Sequence, residues 1–143
     1  MIHPLHRLPD DIDQLVAVSE AEGMRMVRRF AEEWRSGHHR FCGPGERIFA
    51  ATLEGRTVAI GGLSRDPFVD DETVGRVRRM YVHPDHRGQG MGSSLLDRIV
   101  RASGFARLRI RTDQPNAAAF YEARGFEPVG DANATHELAK LSG

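Results

Sequence analysis

Three glycines, Gly88, Gly90 and Gly92, stand within five residues in the run Arg87-Gly88-Gln89-Gly90-Met91-Gly92. Residues of this type at this spacing can hold an anion. Without side chains the backbone approaches a ligand closely, and the N–H groups of a helix's first turn are unpaired and lie at the positive end of the helix dipole. The run follows a strand-like segment, Val74 to Val82, and opens a helix-like one, Met91 to Ser103. The pattern therefore predicts a cradle for a ligand carrying several phosphates.

The charge distribution agrees. Formal net charge is zero, but residues 76–111 hold nine Arg against Asp85 and Asp97. A positive field around an anion cradle suits a polyphosphate. Nucleic acid is not expected as a partner, because the basic segment has only Tyr81 and Phe105 as aromatics, no Lys and no interleaved stacking platform. Arg107, Arg109 and Arg111 alternate with Leu108 and Ile110, which predicts a strand with its arginines on a solvated face. His38, His39, His83 and His86 do not form a closed metal site with Cys42 by spacing, so no metal is expected.

Composition bounds the rest. The chain has 143 residues, 40% apolar and 28% charged, as expected for one globular domain spanning residues 1–143. No apolar stretch approaches a membrane span, and Met1-Ile2-His3-Pro4 does not open a signal peptide. Cys42 is the only cysteine, which fits a reducing, cytoplasmic setting.

The elements that must position the cradle alternate. A short strand within Ile2 to Leu8 precedes a helix capped by Asp10 or Asp11, and a second helix runs from about Met24 to Arg35. A loop, His38 to Glu46, leads to a hairpin of Arg47 to Glu54 and Thr57 to Leu63. After the cradle helix come a strand from Ala106 to Thr112, a helix starting at Pro115, and short strands at Phe126 to Val129 and Ala134 to Leu138. Strand, glycine cradle, helix and strand make a parallel crossover unit.

Three phosphate motifs compete for the run. A Walker loop fails for want of a Lys. A dinucleotide fingerprint needs a third glycine where Ser93 stands, and five residues separate the strand from Gly88, too many for its tight turn. The pattern [RQ]-x-x-G-x-[GA] is met at every fixed position by Arg87, Gly90 and Gly92. That match resembles the GNAT superfamily of acyl-coenzyme A dependent N-acyltransferases. Arg79-Met80-Tyr81-Val82-His83-Pro84 looks like the family's fourth strand and its exit, and Ala117 to Phe126, with Phe120-Tyr121 and Gly125-Phe126, is similar to its Phe-Tyr helix and Gly-Phe turn.

The resemblance implies an α/β fold: a mixed, mostly antiparallel central sheet with one parallel strand pair splayed for coenzyme A, flanked by about four helices. It implies acetyl transfer from acetyl-CoA to a primary amine of a small molecule, in a ternary complex. By the same resemblance, the amides of Gln89 to Ser93 (Gln89, Gly90, Met91, Gly92, Ser93), with Arg87 and Gly88, hold the coenzyme phosphates. Met80, Tyr81 and Val82 pair with the pantetheine arm, Gln114 or Asn116 supplies an amide contact, and Tyr121 is the general acid. The partners are the coenzyme A thioester, the amine and, optionally, a second copy of the chain as a homodimer; no membrane partner is expected.

The chain departs from the family pattern where many members place a Glu, six residues before Val82; here that position is Arg76. His136, Asp66 and Glu72 remain as candidate bases, with Glu72 read on the same strand. A cation at Arg76 would suit an acceptor bearing a carboxylate or phosphate. It also motivates an alternative, a non-catalytic acyl-CoA binding or sensing module. Arg78-Arg79 breaks the alternation of the strand and suggests a β-bulge.

Overall fold

The computed structural model describes residues 1–139. Along them run β1 (Ile2–Pro4), α1 (Ile12–Ala21), α2 (Met26–Ser36), β2 (Arg47–Leu53), β3 (Arg56–Arg65), β4 (Val74–Val82), α3 (Met91–Ala102), β5 (Arg107–Ile110), α4 (Pro115–Ala123), β6 (Glu127–Pro128) and β7 (His136–Ala139). A 3-10 turn, Pro84–His86, lies between β4 and α3. The strands form one seven-stranded sheet in the order β1-β2-β3-β4-β5-β7-β6. Every neighbouring pair is antiparallel except β4 and β5. This mixed α/β sheet with four helices and one parallel pair is the architecture that the glycine and Phe-Tyr signatures imply.

Local sequence explains the connections. Pro4 is tolerated because β1 is an edge strand. The β2–β3 turn places Glu54 at φ 51 and Gly55 at φ 77, the left-handed pair that a two-residue hairpin requires. Asp11 stands at the start of α1, as expected of a cap, but its side chain makes no capping bond. Its carboxylate instead accepts from the Thr57 N–H at 2.8 Å, tying α1 to the hairpin.

The sheet separates two apolar clusters. On one face, Ile12, Leu15, Val27 and Phe30 of α1 and α2 pack over Ile48, Ala50, Ile60 and Tyr81. On the other, Leu95, Leu96 and Ile99 of α3 pack with Phe49, Ala59, Leu63, Val77 and Leu108, and Tyr121 and Phe126 complete that core. Full burial of a Leu or Ile contributes about 1.5–3 kcal/mol. Three such side chains anchor the body of α3, and Met91 of its first turn packs against the same core.

Candidate active site

The bulge expected at Arg78-Arg79 is present. Ile60 of β3 pairs with Tyr81, and Gly62 pairs with Arg78. Gly61 therefore faces two residues, Arg79 and Met80. Arg79 takes φ 58, in the left-handed region, and its guanidinium donates to Glu33 Oε1 of α2, at 3.1 Å from Nε and 2.6 Å from Nη2. The extra residue resets the alternation, so Val77, Met80 and Val82 share the α3 side while Tyr81 turns to the α1–α2 side.

Strand β4 pairs with β5 only through Val74, Gly75 and Arg76. From Val77 onward the two diverge, because β5 continues along β7 as far as the Ile110–His136 pair. On its other side β4 stays bonded to β3, with the His83 N–H on the Val58 carbonyl at 2.8 Å. Antiparallel alternation then turns the backbone groups of Met80 and Val82 toward the gap, and those of Tyr81 toward Ile60.

The cradle closes one end of this gap. Gly88 and Gly90 have φ 77 and 79, values that glycine adopts without strain. Gly90 caps α3 with no side-chain hydrogen bond, and the first helical bond runs from the Ser94 N–H to the Gly90 carbonyl at 3.0 Å. The N–H groups of Met91, Gly92 and Ser93 are thus orphan donors at the positive end of a helix. A Cβ on Gly92 would point toward Val82 at 3.6 Å and Phe120 at 3.8 Å, into the gap between β4 and α4.

Two arginines exchange the positions that motif reading suggests. Arg87 turns away from the cradle: Nε donates to the Val82 carbonyl at 3.0 Å, and its two Nη atoms bond Glu22 at 2.7 and 2.8 Å. Tyr81 Oη donates to the same carboxylate. Arg87 foremost, then Tyr81, holds Glu22 below the usual carboxylate range. Arg124, which no motif singles out, instead lies over the Phe120 ring and bonds Ser93 Oγ in the first turn of α3.

Helix α4 begins at Pro115 after the cap residue Gln114, and Gln114 and Asn116 are both exposed. Tyr121 is 5% exposed, its ring edge-on to Phe120 and Phe126 at 5.3 and 5.6 Å. Burial pushes its phenol above the usual 10.0, so the group keeps its proton at neutral pH. The hydroxyl bonds no described residue. His136 is buried against α4, with Nε2 3.1 Å from Glu122 Oε2 and Nδ1 2.9 Å from Thr135 Oγ1.

The opposite face of β4 and β5 carries charge. Asp66, fully buried, lies 3.4 Å from Arg76 and 3.6 Å from Arg109, and accepts from the Phe68 N–H at 2.8 Å. Arg109 also meets Asp131 at 2.7 Å. Arg109 is therefore not the solvated strand cation that alternation suggests; it is 6% exposed, because loops distant in sequence supply its counter-charges. Arg76 is likewise compensated and lies under the Phe68 ring at 5.1 Å. Asp66 is committed to these two arginines. Glu72 does not lie on the strand: Asp71 Oδ1 accepts from both the N–H and hydroxyl of Thr73, making a turn that delays β4 until Val74. Among the described residues, no group of three or more His, Cys, Asp or Glu could hold a metal ion, and no helix is long and apolar enough to cross a membrane.

Comparison with known proteins agrees with the geometry. Residues 44–128 match the family model described as the acetyltransferase (GNAT) domain. An IAA acetyltransferase of Azospirillum brasilense is 34% identical over 92 residues, 61% of this chain and 58% of its own length. An amino-acid acetyltransferase of Salmonella arizonae is 29% identical over 119 residues, 81% of this chain and 24% of its own. The chain thus matches less than two thirds of the length of either relative. A crystal structure from Exiguobacterium sp. 255-15 that carries an acetyltransferase assignment superimposes with TM-score 0.87 at 28% identity, covering 97% of this chain and 92% of that one. With β2 through β6 and the glycine run 88–92 inside the family match, the chain belongs to the GNAT family of acetyltransferases.

Proposed function

We propose that residues 1–143 act as one cytoplasmic N-acetyltransferase domain that moves an acetyl group from acetyl-CoA to the primary amine of a small molecule. One observation carries the reading: the β4–β5 pairing stops at Arg76, and the gap it leaves runs from the uncapped start of α3 to the Tyr121 helix. The orphan N–H groups of Met91, Gly92 and Ser93, with Gly88, Gln89 and Gly90 giving close approach, suit a pyrophosphate. Arg124 adds a cation beside Ser93. Met80, and Val82 through its N–H, offer backbone groups of a strand edge to the amide-containing pantetheine arm, while the Val82 carbonyl accepts from Arg87. Arg87 and Tyr81 act indirectly, by tying the β4 exit to Glu22, and Gln114 and Asn116 remain within the solvent-facing start of α4.

The chemistry follows from these positions. The neutral amine attacks the thioester carbonyl carbon, and N–H groups of the bulged strand stabilise the oxyanion that forms. As the C–S bond breaks, Tyr121 gives its proton to the thiolate, a step for which a buried, protonated phenol is suited. The amine's proton leaves to water, and water returns one to the Tyr121 phenolate, since Asp66 is ion-paired, Glu72 lies in a turn and His136 faces α4. The name of the Salmonella relative supports an acceptor of amino-acid size.

A second reading, acyl-CoA binding without turnover, is favoured by Arg76 in place of a carboxylate. Free-thiol release across an amine panel, with acetyl-CoA binding measured in parallel, separates the two. Amine-dependent thiol release supports acetyl transfer. Tight binding with no release from any amine supports the second reading.

A further inference from the structure

Three arginines follow closely on β4 at the mouth of the gap, and two of them are neutralised. Arg76 has Asp66, and Arg79 has Glu33. Arg78, between them, is half-buried and makes no hydrogen bond or ion pair with any described residue. Burial foremost, then Arg79, disfavours its charge, while Glu33 and Glu46 act on it only at a distance. Glu46 accepts from the Gly43 and Arg65 N–H groups at 3.2 Å each, so its carboxylate acts on Arg78 through charge alone and makes no ion pair with it. A desolvated guanidinium without a counter-ion is costly to keep, and a planar two-oxygen anion would relieve that cost with two parallel hydrogen bonds.

Its position gives the charge a use. Arg78 lies on the face opposite Val77, one residue before the bulge at Arg79, which is about 3.3 Å along a strand. Donor and acceptor must meet at the gap between β4 and β5. The donor side is taken by Met80, Val82 and the Tyr121 helix, so the acceptor enters over the other face, past Arg78. Opposite Arg78, Gly62 contributes no side chain; a Cβ there would lie 2.7 Å from the Phe41 ring. Phe41 on one side and Phe68, 57% exposed, over Arg76 on the other give this approach apolar walls around one unpaired cation.

We propose that Arg78 is the anchor for a carboxylate on the acceptor, so that the amine acetylated here belongs to an amino acid or a similar small amino-carboxylate. This rests on the acetyl-transfer reading above and moves the acceptor-recognition role from Arg76, whose charge is spent on Asp66, to its neighbour. A polyamine would meet an uncompensated cation and be repelled.

The test compares the common amino acids with their carboxamides as acceptors, by free-thiol release from acetyl-CoA, for the wild type, Arg78→Gln and Arg78→Lys. Binding of the same compounds to the CoA-loaded protein is followed by calorimetry. The wild type should turn over at least one acid about tenfold or more better than its carboxamide. Arg78→Gln should abolish that ratio with KM for acetyl-CoA unchanged, and Arg78→Lys should keep part of it. Equal turnover of acid and carboxamide by the wild type, or a ratio that survives Arg78→Gln, overturns the anchor and leaves acetyl transfer standing. Arg78-dependent binding of an acid without any thiol release keeps the anchor and overturns acetyl transfer. Should Arg78→Gln fail to fold, the wild-type ratio and Arg78→Lys still decide.

Discussion

Glu33 on α2 receives both the Nε and an Nη hydrogen bond of Arg79, at 3.1 and 2.6 Å, and Arg79 is the residue at φ 58 that forms the β4 bulge. A side chain from α2 thus holds the backbone irregularity of β4 beside the gap. Left-handed backbone at a non-glycine residue costs about 1–3 kcal/mol and persists only where its surroundings impose it. Arg79→Val, β-branched and ill suited to that conformation, should destabilise the fold by at least about 1–3 kcal/mol in urea unfolding. Arg79→Asn tolerates the conformation and should lose less. Equal losses for the two would show that the conformation is not under strain.

Gly92 tests how closely the phosphates approach the first turn of α3. It is helical, and an added Cβ meets only ordinary van der Waals contacts, the nearest at 3.6 Å from Val82. Gly92→Ala should therefore fold as well as the wild type or better, by up to about 1 kcal/mol from helix propensity. The motif [RQ]-x-x-G-x-[GA] admits Ala at this position, so acetyl-CoA affinity should change by no more than about threefold. A loss of about tenfold or more would show that the phosphates pack against the Gly92 Cα itself.

Arg124 and Arg87 should fail differently. Arg124→Gln removes the cation beside Ser93 and should weaken acetyl-CoA binding about tenfold while leaving the thermal midpoint nearly unchanged. Arg87→Gln breaks the ties to Glu22 and the Val82 carbonyl and should lower the midpoint. The reverse pattern would return Arg87 to direct phosphate contact.

The Glu22 clamp also sets a pH dependence. Because the Glu22 carboxyl is held below its usual 4.5, the stability it contributes is fully present above pH 4.5 and is lost as pH falls through the lower folded value. In urea melts, wild type should be more stable than Glu22→Gln at neutral pH, and the two should converge in acid. A constant difference from neutral pH to about pH 3 would contradict the ionised clamp.

The cradle and the parallel pair were legible in sequence because glycine spacing and crossover order are local patterns, whereas the splaying of that pair followed only from the family resemblance. The bulge was legible too, as a broken alternation at Arg78-Arg79. What escaped were charges paired across long separations. Arg87 finds Glu22 65 positions away, Arg109 draws on Asp66 and Asp131 from two loops, and Arg124 reaches back 31 positions to Ser93. Periodicity fixes the face of a strand on which a side chain lies but not what folds over that face. It therefore could not tell a spent arginine, Arg76, from an unpaired one, Arg78.

Tyr121 is 5% exposed, and its hydroxyl bonds no described residue. The most direct measurement is kcat for wild type and Tyr121→Phe with acetyl-CoA and an accepted amine, from about pH 6 to about pH 10. The variant should lose about 100-fold or more in kcat with KM for acetyl-CoA nearly unchanged, and the wild-type rate should not fall as pH approaches 10.0, because burial keeps the phenol protonated. Equal rates for the two proteins across that range would contradict a tyrosine acid.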